Sequence, residues 1–209
     1  MKVAVINEVS AKDKNRMIVQ ALEKCGAEVI NAGMSQEGDT AELTYIHTGL
    51  MAAVLLNLGA ADLAVGGCGT GQGFLLSAVQ YPNVFCGLLC EPLDALLFGK
   101  INGGNCVSLA LNKGFGWAGD INLEYIFEKL FLEGYGEGYP PERQASQKQS
   151  RAKLSGISQK AHKSMEEILA AIDRDILDTV FAHAPFVSAI KGEVKNKELQ
   201  KFIVESYLQ

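Results

Sequence analysis

The chain has 209 residues, 48% of them hydrophobic, and a formal net charge of −5. This length predicts one large domain, or one domain with an appendage, whose core needs no disulfide or metal to be stable. The modest negative charge shows no sign of the clustered basic face that nucleic-acid-binding proteins carry. We therefore expect no nucleic-acid partner.

The beginning of the chain, MKVAVINE, has an apolar run too short for a secretory signal. The longest apolar region, 51–65, is interrupted by Asn57 and Asp62, so we expect no membrane span. The cysteines are odd in number and form no C-x-x-C pair, which argues against a disulfide framework or a zinc site; they are Cys25, Cys68, Cys86, Cys90 and Cys106. Together these features predict a cytoplasmic protein with reduced thiols and no bound metal.

The first half of the chain alternates short apolar runs with segments of helical periodicity. The predicted strands cover 2–7, 27–33, 62–67, 84–90 and 105–112. The predicted helices cover 13–26, 40–60, a segment after Gly73, 92–100 and 120–134. Because the strands are nearly continuous apolar runs, they are typical of strands buried on both faces of a parallel sheet. The alternation predicts an α/β fold, a doubly wound (Rossmann-like) five-stranded parallel sheet with helices on both faces.

The composition changes after residue 133. The stretch 134–151 is rich in Gly, Pro, Gln and Ser, which predicts an extended arm that we bound at 134–156. Beyond it, apolar residues recur at helical spacing. We therefore divide the chain into an α/β core over 1–133, an extended arm over 134–156 and a C-terminal helical extension over 157–209.

A glycine-rich loop, GGCGTGQG at 66–73, follows the third predicted strand and opens a helix. Doubly wound folds bind ligands at this edge of the sheet, where free backbone N–H groups favour an anion. Neither nucleotide motif fits, because Gln72 stands where G-x-G-x-x-G needs a glycine and where the P-loop needs a lysine. The five glycines suggest the close approach of a ligand other than a nucleotide.

Cys68 lies in the middle of this loop. A thiol surrounded by backbone N–H groups at the start of a helix is expected to have a lowered pKa. Its thiolate could then act as a nucleophile or a general base. The alternative is that Cys68 is a small buried residue that fills a turn; the other four cysteines, in apolar runs, are predicted to be core residues.

Several motifs together resemble ribose-5-phosphate isomerase B and the galactose-6-phosphate isomerase subunits. They are CGTGQG (68–73), CEPLDALL (90–97), NGGN (102–105), VINE (5–8) and TYIH (44–47). The resemblance covers roughly residues 1–150, and the helical extension is similar to the extra C-terminal domain of longer members. It implies a cofactor-free aldose–ketose isomerase that moves a proton between C1 and C2 of a sugar phosphate through an enediolate.

The resemblance also implies roles for the residues of the glycine loop. Cys68 would be the base, and Thr70 would contact the substrate near the reacting carbons. The N–H groups of Gly69, Gly71 and Gly73 would stabilise the enediolate oxygen.

Further substrate contacts are implied elsewhere in the chain. Asn102 and Asn105 would bind sugar hydroxyls and the enediolate, and Arg143 would bind the phosphate. Such enzymes are homodimers with the active site at the subunit interface. Glu8 ends the first strand at the ligand edge and is predicted to bind substrate. His47 either binds substrate or caps a helix.

The sequence departs from this pattern at five places, among them the absence of an Asn-Lys pair after the loop helix and Cys86 in place of an arginine at the fourth strand. Glu8-Val9 stands where an Asp-His pair is expected, Ile101 replaces the ring-opening histidine, and Gln147 replaces a second arginine. These changes favour a sugar phosphate other than ribose 5-phosphate, or an acyclic substrate. Two alternatives stay open: a non-catalytic sugar-phosphate binding or sensor subunit, and a nucleotide-binding module, which the failed motifs disfavour. Phe115 and Trp117 either close the pocket or pack a turn.

Overall fold

The computed structural model describes residues 1–35 and 42–208. The first two residues of the helix predicted over 40–60 lie outside this range. Five strands form a single sheet: β1 (Lys2–Asn7), β2 (Glu28–Asn31), β3 (Leu63–Cys68), β4 (Cys86–Leu89) and β5 (Cys106–Ala110). Their order is β2-β1-β3-β5-β4, and every neighbouring pair is parallel. The predicted five-stranded parallel sheet is confirmed.

Helices alternate with these strands, as predicted. They are α1 (Asn15–Lys24), α2 (Tyr45–Leu58), α3 (Gln72–Ala78), α4 (Pro92–Leu97) and α5 (Gly119–Leu130). A 3₁₀ turn (Val9–Lys14) precedes α1, and a π-helical turn (Phe98–Asn102) follows α4. One face of the sheet packs against α2 and α3, and the other packs against α1, α4 and α5. Both faces are therefore covered, which explains the continuous apolar strands.

The segment that follows the core differs from its prediction. Turns and a short 3₁₀ segment (Pro141–Arg143) lead into α6, which spans Gln144–Ala161, so the predicted arm over 134–156 is not extended beyond residue 143. Composition misled this prediction. The Gln, Ala, Lys, Arg and Leu residues after Pro141 are good helix formers, and no further proline interrupts them.

The C-terminal extension is helical, as predicted. It contains α7 (Met165–Ala171), α8 (Arg174–Ala182), α9 (Ala184–Lys191) and α10 (Lys197–Tyr207). Buried residues of these helices, such as Leu177 and Phe186, belong to the same apolar cluster as α2. His183 is buried with its Nε2 3.2 Å from the carbonyl oxygen of Gly33. The extension thus packs on the α2 face of the sheet. Within the described residues, no helix is long and apolar enough to cross a membrane.

Candidate active site

The thiol of Cys68 lies at the carboxyl edge of the sheet. Cys68 is the last residue of β3 and pairs in register with Ala110 at the end of β5, while Gly67 pairs with Asn7 at the end of β1. The side chain is buried, with 8% of its surface exposed. This is the position at which doubly wound folds bind their ligands.

The surroundings of this thiol favour its ionised form. Burial alone raises the pKa of Cys68, but the backbone N–H groups of Phe74, Thr70 and Gly73 point to the sulfur and lower it. The Thr70 hydroxyl, 3.8 Å from Sγ, acts in the same direction. The pKa of Cys68 is therefore below its ordinary value. A thiol that only filled a turn would need none of these donors.

Neighbouring protein atoms leave little room for a side chain at the five glycines of the loop. A Cβ atom at any of them would come within 3.0 Å of a neighbouring group, which a real side chain essentially never does. The nearest atoms would belong to Phe74 at Gly66 (2.3 Å), Leu109 at Gly67 (2.2 Å), Asn112 at Gly69 (2.9 Å), Leu88 at Gly71 (2.5 Å) and Tyr45 at Gly73 (2.9 Å). Close packing against protein atoms therefore gives these glycines a structural reason, while the close approach of a ligand stays a prediction.

Two of the glycine N–H groups predicted to hold an enediolate oxygen already have protein partners. The Gly71 N–H donates to the Cys68 carbonyl at 3.2 Å, and the Gly69 N–H donates to Ser10 Oγ at 3.1 Å. The Gly73 N–H points to the Cys68 sulfur. An enediolate oxygen at Gly69 or Gly71 would have to replace these partners, so the role of both stays a prediction.

Glu8 is placed beside this loop, as the sequence suggested, and is buried with 4% of its surface exposed. Its Oε1 accepts the Ser10 N–H at 3.1 Å and also accepts the Ser10 hydroxyl. Glu8 thereby caps the 3₁₀ turn that follows β1. Ser10 was not predicted as a site residue, although a serine two residues after a carboxylate at the end of a strand is the signal of such a cap.

His47 lies in the first turn of α2. Its Nδ1 accepts the Thr44 N–H at 2.9 Å and lies 3.0 Å from the Thr44 hydroxyl, which forms a capping box. Because Nδ1 accepts, the neutral ring carries its proton on Nε2. Burial lowers the pKa of His47, and the charge of Asp175 on α8 opposes this only partly. The helix-capping alternative is confirmed, while a substrate contact stays a prediction.

The two predicted asparagines lie at the opposite, amino edge of the sheet. Asn105 directly precedes β5; its Oδ1 accepts the Phe85 N–H at 2.8 Å and its Nδ2 donates to the Asn83 carbonyl at 2.7 Å. Asn102 is exposed at the end of the π-helical turn. Within one chain, therefore, neither side chain joins Cys68.

An apolar groove opens on this side of the molecule, between edge strand β4, residues 97–104 and α6. Its volume is about 950 Å³, and Leu88, Phe98, Leu154 and Asn102 contribute to its walls. Arg151 fixes one wall by donating to the Ile101 carbonyl at 2.7 Å and to the Gly136 carbonyl.

The remaining predicted site residue, Arg143, is exposed just before α6 and remote in sequence from the glycine loop. Of the two aromatic residues after β5, Phe115 fits the packing alternative, and the exposure of Trp117 supports neither packing nor closure of a pocket. Phe115 is packed in the core at 3% exposure, and Trp117 is 99% exposed.

Among the other cysteines, Cys106 is buried but Cys90 is exposed, so the prediction of a core position was wrong for Cys90. In the described part of the chain, no three His, Cys, Asp or Glu side chains cluster as metal ligands do.

Known proteins share this fold. The model of the Ribose/Galactose Isomerase family matches residues 3–133. The search of curated proteins found no match.

Two solved structures match nearly the entire chain, including the extension, and each match covers 98% of both chains. A 4-deoxy-L-threo-5-hexosulose-uronate ketol-isomerase complexed with a tartrate is 38% identical, with a TM-score of 0.93. The ribose-5-phosphate isomerase LacAB_rpiB from Vibrio parahaemolyticus is 43% identical, with a TM-score of 0.92. The ribose-5-phosphate isomerase B of Clostridium thermocellum is 22% identical with a TM-score of 0.62; that match covers 78% of this chain and 100% of the other, and it shows the shared fold.

Proposed function

The chain belongs to the ribose/galactose isomerase family, and from this premise we propose that it is a ketol-isomerase whose base is the thiolate of Cys68. The family and the two full-length neighbours indicate a sugar isomerase. One observation supports the choice of base: three backbone N–H groups point to a buried sulfur and lower the pKa of Cys68. A base whose pKa lies nearer neutrality is ionised more often at working pH and transfers protons more effectively.

The proposed reaction moves one proton between adjacent carbons. The thiolate removes a proton from C1 of a ketose, the electrons of that C–H bond form the C1=C2 bond, and the C2 carbonyl oxygen becomes an oxyanion. A proton then passes from the C1 oxygen to the C2 oxygen. The Cys68 thiol returns its proton to C2, which leaves an aldehyde at C1. Thr70, whose hydroxyl is 3.8 Å from the sulfur, would contact the substrate beside these carbons.

The substrate class that fits first is an acyclic sugar phosphate. Ile101 stands where the family has a ring-opening histidine, so an open-chain substrate needs the least further machinery. Arg143 is the proposed phosphate ligand, and Glu8 and His47 are proposed to contact sugar hydroxyls at the carboxyl edge of the sheet.

A second candidate substrate is a keto sugar acid that carries a carboxylate in place of the phosphate. It is favoured by the 38% identity, over 98% of both chains, to the uronate ketol-isomerase. Gln147, which replaces the second phosphate-binding arginine of the family, supports the same candidate because a carboxylate needs fewer cationic partners.

We also propose that the protein is a homodimer whose subunits complete each other's sites. Asn102 lies at the edge of the sheet opposite Cys68, and the turns before Arg143 contact the same edge, where the Gly138 N–H donates to the Lys100 carbonyl at 2.8 Å. The groove beside Asn102 has exposed apolar side chains, Leu154 and Ile157, on α6. A second copy covering this groove would bury these side chains. It would carry Asn102 and Arg143 to the Cys68 edge of its neighbour.

The proposed location of the protein is the cytoplasm.

The proposal is tested by deuterium exchange. The protein is incubated in heavy water with a panel of pentose phosphates, hexose phosphates and keto sugar acids, and deuterium at C1 and C2 is followed by NMR. We expect exchange with one class and a loss of roughly 10²- to 10⁴-fold in Cys68→Ser, the range for removing a general base. Cys90→Ser, which removes an exposed thiol, is the matched control. Tight binding without exchange would instead support the alternative of a non-catalytic sensor subunit.

A further inference from the structure

A short chain of hydrogen bonds links the buried carboxylate of Glu8 to the backbone beside Cys68. The Ser10 hydroxyl donates to Glu8 Oε1, and its oxygen accepts the Gly69 N–H at 3.1 Å. The Ser10 N–H binds the same Glu8 oxygen at 3.1 Å, so the serine is held at both its main chain and its side chain. Ser10 lies in an exposed position, and both of its hydroxyl partners belong to the edge of the sheet that carries the thiol.

The peptide group that Ser10 contacts is fixed from both sides. Asn112 donates its N–H to the Gly69 carbonyl at 3.0 Å, and the Cys68 carbonyl accepts the N–H groups of Gly71 and Leu111. Gly69 joins Cys68 to Thr70, which directs both its N–H and its hydroxyl to the sulfur. The orientation of the Gly69 peptide therefore determines where the donors of Thr70 lie.

We infer that Ser10 is a positioning residue: through Gly69 it holds the loop in the conformation that keeps the Thr70 donors on the Cys68 sulfur. The Glu8 carboxylate polarises the serine hydroxyl, which makes its oxygen a stronger acceptor for the Gly69 N–H. Ser10 acts on the thiol without touching it. For catalysis, the inference rests on the proposed function of Cys68; for the state of the thiol, it rests on the contacts alone.

A helix-capping role would not by itself explain this arrangement. Ser164 and Glu167 form a serine–glutamate capping box at the start of α7, where the Ser164 hydroxyl accepts the Glu167 N–H at 3.2 Å. That cap is complete within its own turn. The oxygen of the Ser10 hydroxyl instead accepts the N–H of Gly69, 59 positions away in the loop that carries the thiol.

The experiment compares Ser10→Ala and Ser10→Thr with the matched control Ser164→Ala. Alkylation of Cys68 by iodoacetamide is followed by mass spectrometry across pH, and exchange of the Gly69 amide hydrogen is followed by NMR. In Ser10→Ala we expect alkylation near neutral pH to slow by roughly threefold to tenfold, the factor that corresponds to one lost hydrogen bond, and the Gly69 amide to exchange faster. Ser10→Thr keeps a hydroxyl and is expected to restore both, and Ser164→Ala is expected to change neither.

Two readouts separate this inference from the proposed function. If the protein is an isomerase, Ser10→Ala is expected to lower kcat more than it changes KM, because the variant weakens the base and replaces none of the side chains proposed to bind substrate. If no substrate is turned over, the alkylation profile and the Gly69 exchange still test the positioning role. An unchanged profile together with unchanged exchange in folded Ser10→Ala would overturn the inference. If Ser10→Ala does not fold, Ser10→Gly replaces it. Slower alkylation of Cys68 and faster exchange of the Gly69 amide would then support the inference, and no change in either would overturn it.

Discussion

The two edges of the central sheet use their polar groups differently. At the carboxyl edge, backbone donors converge on the sulfur of Cys68 and lower its pKa. At the amino edge, the side chain of Asn105 hydrogen-bonds to the backbone just before β4, whereas the side chain of Asn102 is exposed on the apolar groove. The polar groups of the carboxyl edge surround a reactive sulfur, whereas Asn105 at the amino edge stabilises the backbone.

This difference shows that one motif can combine an architectural residue with a functional candidate. In NGGN, Asn105 holds two backbone groups, and Asn102 three residues earlier is exposed. The motif alone does not separate them, because both are asparagines in the same turn. The comparison of the edges therefore predicts activity loss without instability for Asn102, and instability for Asn105.

The largest expected effect tests whether the two edges meet in a dimer. Cys68→Ser and Asn102→Ala are each expected to reduce turnover by roughly 100-fold or more, because each removes a group from the proposed site. Mixing the two variants under conditions that exchange subunits should restore about a quarter of wild-type activity, since half of the dimers would carry one intact site. Activity is measured by the deuterium-exchange assay. Failure to complement, with subunit exchange shown by mass spectrometry, would show that Cys68 of one subunit and Asn102 of the other do not form one site across the dimer interface.

The next prediction compares thiols at the two edges. A hydrogen bond with Cys86 and burial raise the pKa of Cys106 at the amino edge, whereas the pKa of Cys68 is lowered. Near neutral pH, iodoacetamide should therefore label Cys68 many-fold faster than Cys106, when each rate is divided by that of the same peptide in the unfolded chain. Equal normalised rates, measured by mass spectrometry, would remove the contrast between the edges.

The same pKa directions fix the sign of the pH dependence of stability. For Cys68, folding gains free energy as pH rises from its lowered pKa to the ordinary thiol value, and this gain is lost as pH falls through the lowered pKa. For Cys106 the contribution is present below the ordinary thiol pKa and is lost as pH rises above it. In urea titrations, Cys68→Ala should lose the first dependence and Cys106→Ala the second.

The smallest expected effect concerns stability at the amino edge. Asn105→Ala leaves the Phe85 N–H and the Asn83 carbonyl without their partner and is expected to lower the free energy of unfolding by about 1–3 kcal/mol. Asn102→Ala, on an exposed side chain, should change it by less than about 0.5 kcal/mol. Both values come from urea unfolding of the two variants side by side. A larger loss for Asn102 than for Asn105 would reverse the assignment.

Much of the fold was predictable from the sequence because buried parallel strands leave a continuous apolar pattern. β1, β3 and β5 occur where KVAVIN, DLAVGG and NCVSLALN predicted them, with boundary differences of one or two residues. α6 was missed because glutamine and serine were read as loop formers, although they are tolerated in a solvent-exposed helix.

The candidate site was predictable only in part. Cys68 and Glu8 were predicted to lie at the ligand edge because the end of a strand and the composition of the loop that follows it are local signals. Ser10 was missed because the N–H group that it accepts belongs to Gly69, 59 residues away. The packing role of the glycines was missed because Tyr45 and Leu88, which contact them, come from other elements. Contacts between distant segments decide these roles, and no spacing rule encodes them.

The shared apolar cluster between α2 and the C-terminal extension has a consequence for engineering. Residues 48–55 of α2 are buried without interruption, and part of their cover comes from α8, α9 and α10. A chain cut after α6 would present that surface to water and aggregate, even though the matched family region ends at residue 133. Transferring the C-terminal extension to a shorter relative would therefore require α2 to be transferred with it.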